Sequence, residues 1–370
     1  MRTPLKKMMD YCTYCPKMCR FSCPVSEVTK EETTTPWGKM EMGRWFLDRQ
    51  ISFSKENALP LYQCSNCLAC QEYCEHLNDV PEALGEVRRM AVENMAAPDR
   101  VYQIGDRFAK NNNPYGVDLL KRSKVPTLGS WKNKKAKAVF FPSCHTLYFF
   151  PERLKVYFEL FRKLNIPQVA IYPQPLNCCG EPLRALGFHK EFSELAEVQR
   201  QMLKHYSVLV SDDAECSFSL QKHYPWSSTL AAKPEVHHLL DFLEPYLLHS
   251  SYQTHGKVKG RLVFQDPPFL ARHLGHADLP VRVLAHVTGF APIRLSFHGR
   301  DTLSTGADGS YEMIFPEIAD QMAERVIGEL QRRGFKKLLI ASAKTEAQLK
   351  RLAPDLEIQD VYEFLNEQIL

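Results

Sequence analysis

Residues 64–74 read Cys64-Ser65-Asn66-Cys67-Leu68-Ala69-Cys70-Gln71-Glu72-Tyr73-Cys74. Three thiols recur at a three-residue pitch, and a fourth follows after a longer gap. Upstream lies a second group, Cys12, Cys15, Cys19 and Cys23, closed by Pro24. The two groups take eight of the chain's 12 cysteines into 63 residues, too dense for ordinary buried thiols. A disulfide framework belongs to small secreted chains. This chain has 370 residues, and Met1 to Asp10 is basic without an apolar signal run, so export is not expected. Structural zinc pairs CxxC knuckles across a longer insert, and such pairs are available here from both groups. The unbroken pitch of Cys64, Cys67 and Cys70 suits wrapping around a cube better than around a tetrahedron.

A 4Fe–4S cube takes one thiolate per iron, and C-x2-C-x2-C-x3-C is the bacterial ferredoxin spacing for it. In two-cluster ferredoxins the fourth cysteine of each run serves the other cluster. That rule assigns Cys64, Cys67, Cys70 and Cys23 to one cube, and Cys12, Cys15, Cys19 and Cys74 to the other. Three residues rather than two separate Cys15 from Cys19, which alters the loop but not the ligand number. Between the runs, Thr35-Pro36-Trp37-Gly38 leads into a helical pattern from Lys39 to Asp48, and Leu84 to Met95 reads helical too. The expectation is an all-α ferredoxin-type unit with two 4Fe–4S clusters, which sets the chemistry as one-electron transfer.

Composition is that of an ordinary globular chain with room for two or three domains: 24% charged and 44% hydrophobic residues. A net charge of +4 is too small to argue for nucleic acid or a membrane surface, and no apolar run is long enough to span a bilayer. The one dense basic run, Lys132 to Lys137, reads as a solvated linker rather than a dock for an acidic electron donor. Turn-formers at Asn111-Asn112-Asn113-Pro114-Tyr115-Gly116 and a polar stretch from Pro126 mark a boundary. Beyond it, short apolar strands alternate with amphipathic helices, the pattern of α/β layering with mostly parallel strands.

That second region repeats itself. Ala138 to Cys144 reads as a strand ending at a cysteine, and Arg261 to Pro268 as the same strand without one. Strands at Val169–Tyr172 and Ile293–Phe297 follow, then Cys178-Cys179-Gly180 against Ser304-Thr305-Gly306. Long helices (Glu191 to His205, Pro316 to Arg333) and strands (Val208–Ser211, Leu338–Ala341) complete each copy. Open α/β sheets bind ligands at the carboxyl ends of their strands, where Cys144, Cys178, Cys179 and Cys216 all fall. Burial as free thiols is the other reading of these four. His145 and Glu181 adjoin them and could move protons, but more simply bond to loop backbone or cluster sulfur. Thr305 to Gly309 has the glycines of a phosphate loop, and a vestigial ligand loop explains it more simply. His237, His238, His273, His276 and His286 lack a metal-ligand spacing and are read as non-ligands.

These residues resemble the CCG-domain family of iron–sulfur oxidoreductases, which includes heterodisulfide reductase catalytic subunits and the iron–sulfur subunits of anaerobic glycerol-3-phosphate dehydrogenase and glycolate oxidase. The resemblance implies an α+β multidomain architecture: a helical two-cluster ferredoxin domain over 1–125, a linker over 126–136, and two α/β CCG repeats over 137–255 and 256–370, related by pseudo-twofold symmetry. A complete family repeat has five cysteines. Here Cys144, Cys178, Cys179 and Cys216 fill four positions of the first, and Asp213 stands at the fifth as a further oxygen ligand. In the second repeat Pro268, Ser304 and Thr305 replace the thiols, and Ala343 to Glu346 has none, so that repeat is expected to be empty. The implied cofactors are two 4Fe–4S clusters and a third iron–sulfur cluster, cubane or noncubane, in the first repeat. No nucleotide-binding fingerprint is present, so a flavin is expected on a partner. The implied role is a cytoplasmic electron-transfer subunit working with a flavoprotein or other redox subunits, reaching a membrane only peripherally through a partner. The alternative is a catalytic subunit reducing a disulfide or an activated acid at the Cys144/Cys178/Cys179/Cys216 site.

Overall fold

The computed structural model describes residues 4–123, 136–167, 169–172, 177–226, 233–249, 252–254 and 261–370. Most of the expected linker over 126–136, most of the Lys132–Lys137 run and the expected boundary at 255–256 lie outside these.

Residues 4–123 are helical. Prolines and small polar caps start the helices, because Pro lacks the amide that a first helical turn leaves unbonded. Pro36–Leu47 is capped by Thr35, whose hydroxyl accepts from the Gly38 amide at 3.0 Å. Gly38 is required there: a Cβ would lie 2.3 Å from the Glu32 carbonyl. Val80–Glu93 opens on Asp79, which accepts from the Glu82 amide. Both helices begin a turn or so before the positions expected from sequence. The helix Pro4–Thr13 carries Cys12 in its last turn and buries Met9 against Gly43.

Two four-stranded sheets follow, with every pairing parallel. The first has the order β2-β1-β3-β4, from β1 (Ala138–Phe141), β2 (Val169–Ile171), β3 (Val208–Ser211) and β4 (Glu235–His238). The second has the order β6-β5-β7-β8, from β5 (Val263–Phe264), β6 (Ile293–Arg294), β7 (Lys337–Ile340) and β8 (Glu357–Asp360). The orders are the same. Buried strands such as Val208–Ser211 are apolar on both faces, as parallel strands covered by helices must be. β5 and β6 are shorter than expected, two residues each. Long helices His189–Leu203 and Pro316–Arg332 cover the sheets with their apolar faces.

The loop 64–74 is held against both sheet regions. Arg88, buried, donates to the carbonyls of Leu61 (2.9 Å) and Ala185 (2.8 Å), and to Asn66. From the other side Arg272 donates to the Cys67 carbonyl at 2.5 Å and His273 to the Asn66 carbonyl at 2.8 Å. Glu72 and Tyr73 bond Arg300 and Asp301. Among the described residues no helix is long and apolar enough to cross a membrane.

Candidate metal centres

The eight early thiols divide between two cavities. Cys12, Cys15 and Cys19 line the first, of about 250 Å³, and the fourth thiol on its wall is Cys74, from the other run. Cys64, Cys67 and Cys70 line the second, a tighter space of about 20 Å³, and its fourth thiol is Cys23. Local chain geometry explains the exchange. Leu68 adopts φ 63° and starts the turn Ala69–Tyr73, curling Cys64, Cys67 and Cys70 around one centre and throwing Cys74 outward. Cys23 lies across the turn Arg20–Ser22 from Cys19 and points inward at the start of Pro24–Thr29.

Donors ring both sets. Asn78 gives the Cys12 sulfur a hydrogen bond from its amide side chain at 3.3 Å and the Cys74 sulfur one from its backbone at 3.4 Å. The buried Lys39 ammonium lies 3.5 Å from the Cys23 sulfur. Burial pushes the Cys12 thiol up to about 12 and Cys19 up to about 11, and raises Cys67 and Cys70 as well. Burial also raises Cys23, but Lys39 and nearby Ser26 and Val25 more than offset it, so this thiol sits below its ordinary value. Among the described residues no group of three or more His, Cys, Asp or Glu side chains is arranged to hold a single metal ion. Each foursome instead surrounds a space. Thiol-only donors, amide hydrogen bonds to sulfur and a buried cation fit thiolate-bound iron–sulfur clusters of net negative charge.

The other four cysteines meet at the carboxyl edge of the first sheet. Cys144 opens the helix Cys144–Phe149 after β1, and Cys216 lies in Ala214–Lys222 after β3. Their sulfurs and those of Cys178 and Cys179 stand within hydrogen-bonding reach in series, 144 to 178 to 179 to 216. All four residues are at most 2% exposed. Burial pushes Cys144 up to about 11 and Cys178 well above its ordinary value; shared hydrogen bonds, with burial, raise Cys179 and Cys216 likewise. Gly180, at φ +86°, turns its amide onto the Cys178 sulfur at 3.4 Å. The carbonyls of this pair are pinned by Gln199 and Tyr224 at 2.7 and 2.9 Å.

Asp213 caps the cysteine-bearing helix: its Oδ1 accepts from the amides of Glu215 and Cys216, both at 3.0 Å. The backbone amide of Glu181 bonds the Cys179 sulfur, while the side chains of His145 and Glu181 pair with other side chains. His145 pairs through Nδ1 with the Tyr115 hydroxyl at 2.7 Å, and burial pushes it down to about 3, so it is neutral. Glu181 pairs with His223 at 2.9 Å. In the second sheet region the Gly306 amide (φ +85°) donates to the Ser304 Oγ at 3.1 Å, as the Gly180 amide does to the Cys178 sulfur. That hydroxyl donates in turn to Asp308 at 2.6 Å. The Lys344 ammonium is buried against Glu215, with Asp213, Glu312 and Asp308 also facing it; these raise it well above its ordinary value against the pull of burial. No sequence pattern singled out Lys39, Arg88, Arg272 or Lys344, because each meets a partner distant in the chain.

Residues 8–78 match a family model described as a 4Fe-4S dicluster domain, and residues 138–221 match one described as a cysteine-rich domain. The chain is 24% identical over 271 residues to one subunit of the fumarate reductase (CoM/CoB) of Methanothermobacter marburgensis, covering 72% of this chain and 52% of that protein. Against "Lactate utilization protein A" of Geobacillus kaustophilus it is 24% identical, covering 62% of this chain and 98% of the other. It is 21% identical to one subunit of the dihydromethanophenazine:CoB--CoM heterodisulfide reductase of Methanosarcina mazei, covering 85% and 82%. The chain thus spans about half the length of the first of these relatives and nearly all of the second.

Proposed function

We propose that this chain, which belongs to the CCG iron–sulfur family through its 4Fe-4S dicluster and cysteine-rich domains, is the subunit of an oxidoreductase complex that relays single electrons between a flavoprotein partner and another redox centre. One observation carries the reading: each early cavity is lined by one complete foursome with its fourth thiol exchanged. Cys12, Cys15, Cys19 and Cys74 would hold one 4Fe–4S cluster, and Cys23, Cys64, Cys67 and Cys70 the other. Cys144, Cys178, Cys179 and Cys216 would hold a third. Bound clusters supply one-electron exchange over a wide range of potentials. The chain's own residues orient the thiols, exclude water and place charge beside them. Arg88, Arg272 and His273 hold the 64–70 loop against the rest of the chain.

The division of the chain into a dicluster unit and two repeats is part of the same proposal. Identical strand order and the Gly180/Gly306 correspondence support it. Asp213 gives Oδ1 to a helix cap, which leaves its second carboxylate oxygen for the cluster beside the four thiols.

Anaerobic purification with iron and sulfide analysis tests this: the expected yield is about twelve irons per chain, against about eight for the dicluster alone. In a Cys178→Ala, Cys179→Ala double variant, low-temperature EPR should lose one signal and keep two. An unchanged spectrum rejects the third centre.

A further inference from the structure

Glu215 is the second residue of the helix after β3, Ala214–Lys222, and Lys344 is the second residue of the helix after β7, Ala343–Leu352. β3 and β7 hold the same place in their sheets. Each helix is capped in the same way, by Asp213 and by Ser342. Glu215 and Lys344 are therefore matching positions of the two halves, and they bond to each other. Near a twofold axis a residue meets its own counterpart. Two identical charges could not be buried in contact there, whereas this pair is 6% and 2% exposed and opposite in sign.

The pair sits beside the third thiol set. Glu215 immediately precedes Cys216, and its Oε1 also takes the Gly309 amide at 2.9 Å, again from the half without thiols. With a cluster bound, four thiolates would lie beside the buried carboxylates of Asp212, Asp213 and Glu215. The Lys344 ammonium, paired with Glu215 and also faced by Asp213, stands against this charge.

We propose that Lys344, supplied by the half that lacks thiols, is the built-in counter-charge of the centre at Cys144, Cys178, Cys179 and Cys216, and that the Lys344–Glu215 pair sets its reduction potential. This rests on the relay reading, in which those thiols hold a cluster. Reduction adds an electron to an already negative group, so a nearby buried cation favours the reduced form and a nearby carboxylate opposes it. The thiol-free half thereby keeps a task at the site whose cluster it no longer matches.

The test is an EPR-monitored redox titration of the whole protein in mildly alkaline buffer. Glu215→Gln keeps an acceptor for the Gly309 amide and removes one negative charge. The third centre should become easier to reduce, while the two dicluster centres stay unmoved. Adding Lys344→Met to that variant should return the potential toward the original, and Lys344→Arg alone should hold it. Intact dicluster signals report folding in every variant. If Glu215→Gln loses them, the comparison of Lys344→Arg with Lys344→Gln decides, with only Gln making the third centre harder to reduce. A potential unmoved by Glu215→Gln, or a double variant that stays shifted, overturns the proposal. An unsubstituted protein with about eight irons and no third signal overturns the relay reading itself, and the proposal with it.

Discussion

Lys39 is 1% exposed, and its ammonium lies 3.5 Å from the Cys23 sulfur. A buried cation so close to a cluster ligand acts through little screening, since solvent and salt reach it poorly. Replacing it by methionine keeps the apolar stem and removes only the charge. Lys39→Met should therefore make one of the two dicluster centres harder to reduce, the one at Cys23, Cys64, Cys67 and Cys70. Redox titration followed by EPR checks this, and equal shifts in both dicluster signals would count against it. Lys39 was invisible in the sequence for a simple reason. One lysine in a helical stretch reads as a solvated charge until the fold turns it inward. The thiols were legible because cluster ligation demands a spacing along the chain, whereas a counter-charge demands only proximity in space.

At the scale of elements, β4 turns directly into the helix Leu239–His249, and the junction is tied by an ion pair. His237 Nδ1 stands 2.5 Å from the Asp241 carboxylate, whose hydrogen bond holds the imidazole above its ordinary value of 6.5 against partial burial. A base whose folded value is raised adds stability that is full below the unfolded value of about 6.5 and lost as pH climbs through the folded one. Thermal unfolding of His237→Gln should fall furthest below the unsubstituted protein near pH 6 and converge with it in alkaline buffer. A deficit that persists undiminished at alkaline pH rejects the pairing.

The same strand shows where sequence reading stopped. β1 and β3 announce themselves as apolar runs because helices cover both their faces. β4 reads Glu-Val-His-His and β8 reads Glu-Ile-Gln-Asp, each at the end of its sheet and partly exposed. These two carry polar residues and little apolar signal, and neither was anticipated. Several helix starts came out two to four residues adrift for a related reason: Thr35, Asp79 and Phe188 set them through caps and entry geometry, not through periodicity.

Across the whole molecule, Arg153 is the fastener. It leaves the helix Arg153–Lys163, packed over the first sheet, and reaches three carboxylates of the second region: Glu346 at 2.8 Å, Glu363 at 3.0 Å and Asp360 at 3.5 Å. Glu346 and Asp360 are 0% and 3% exposed at their side chains, so removing the arginine strands buried charge. Arg153→Met should lower stability by about 3–5 kcal/mol, the usual effect of breaking a buried pair from one side. Denaturant unfolding measures it, and a loss below about 1 kcal/mol would show that the carboxylates are served otherwise. The overall plan, helical unit then two parallel sheets, was readable from pattern. The fasteners between its parts were not, because each joins residues some two hundred positions apart.

The clasp on the 64–74 loop also has a meaning in time. Arg272, which locks the Cys67 carbonyl, lies 205 residues farther along the chain. Synthesis at about 5–20 residues per second leaves an interval of roughly 10–40 s between the two. For that interval the thiol loop has emerged from the ribosome and its cover has not been made. For those seconds the thiol loop stands open on that side, before the chain closes over it.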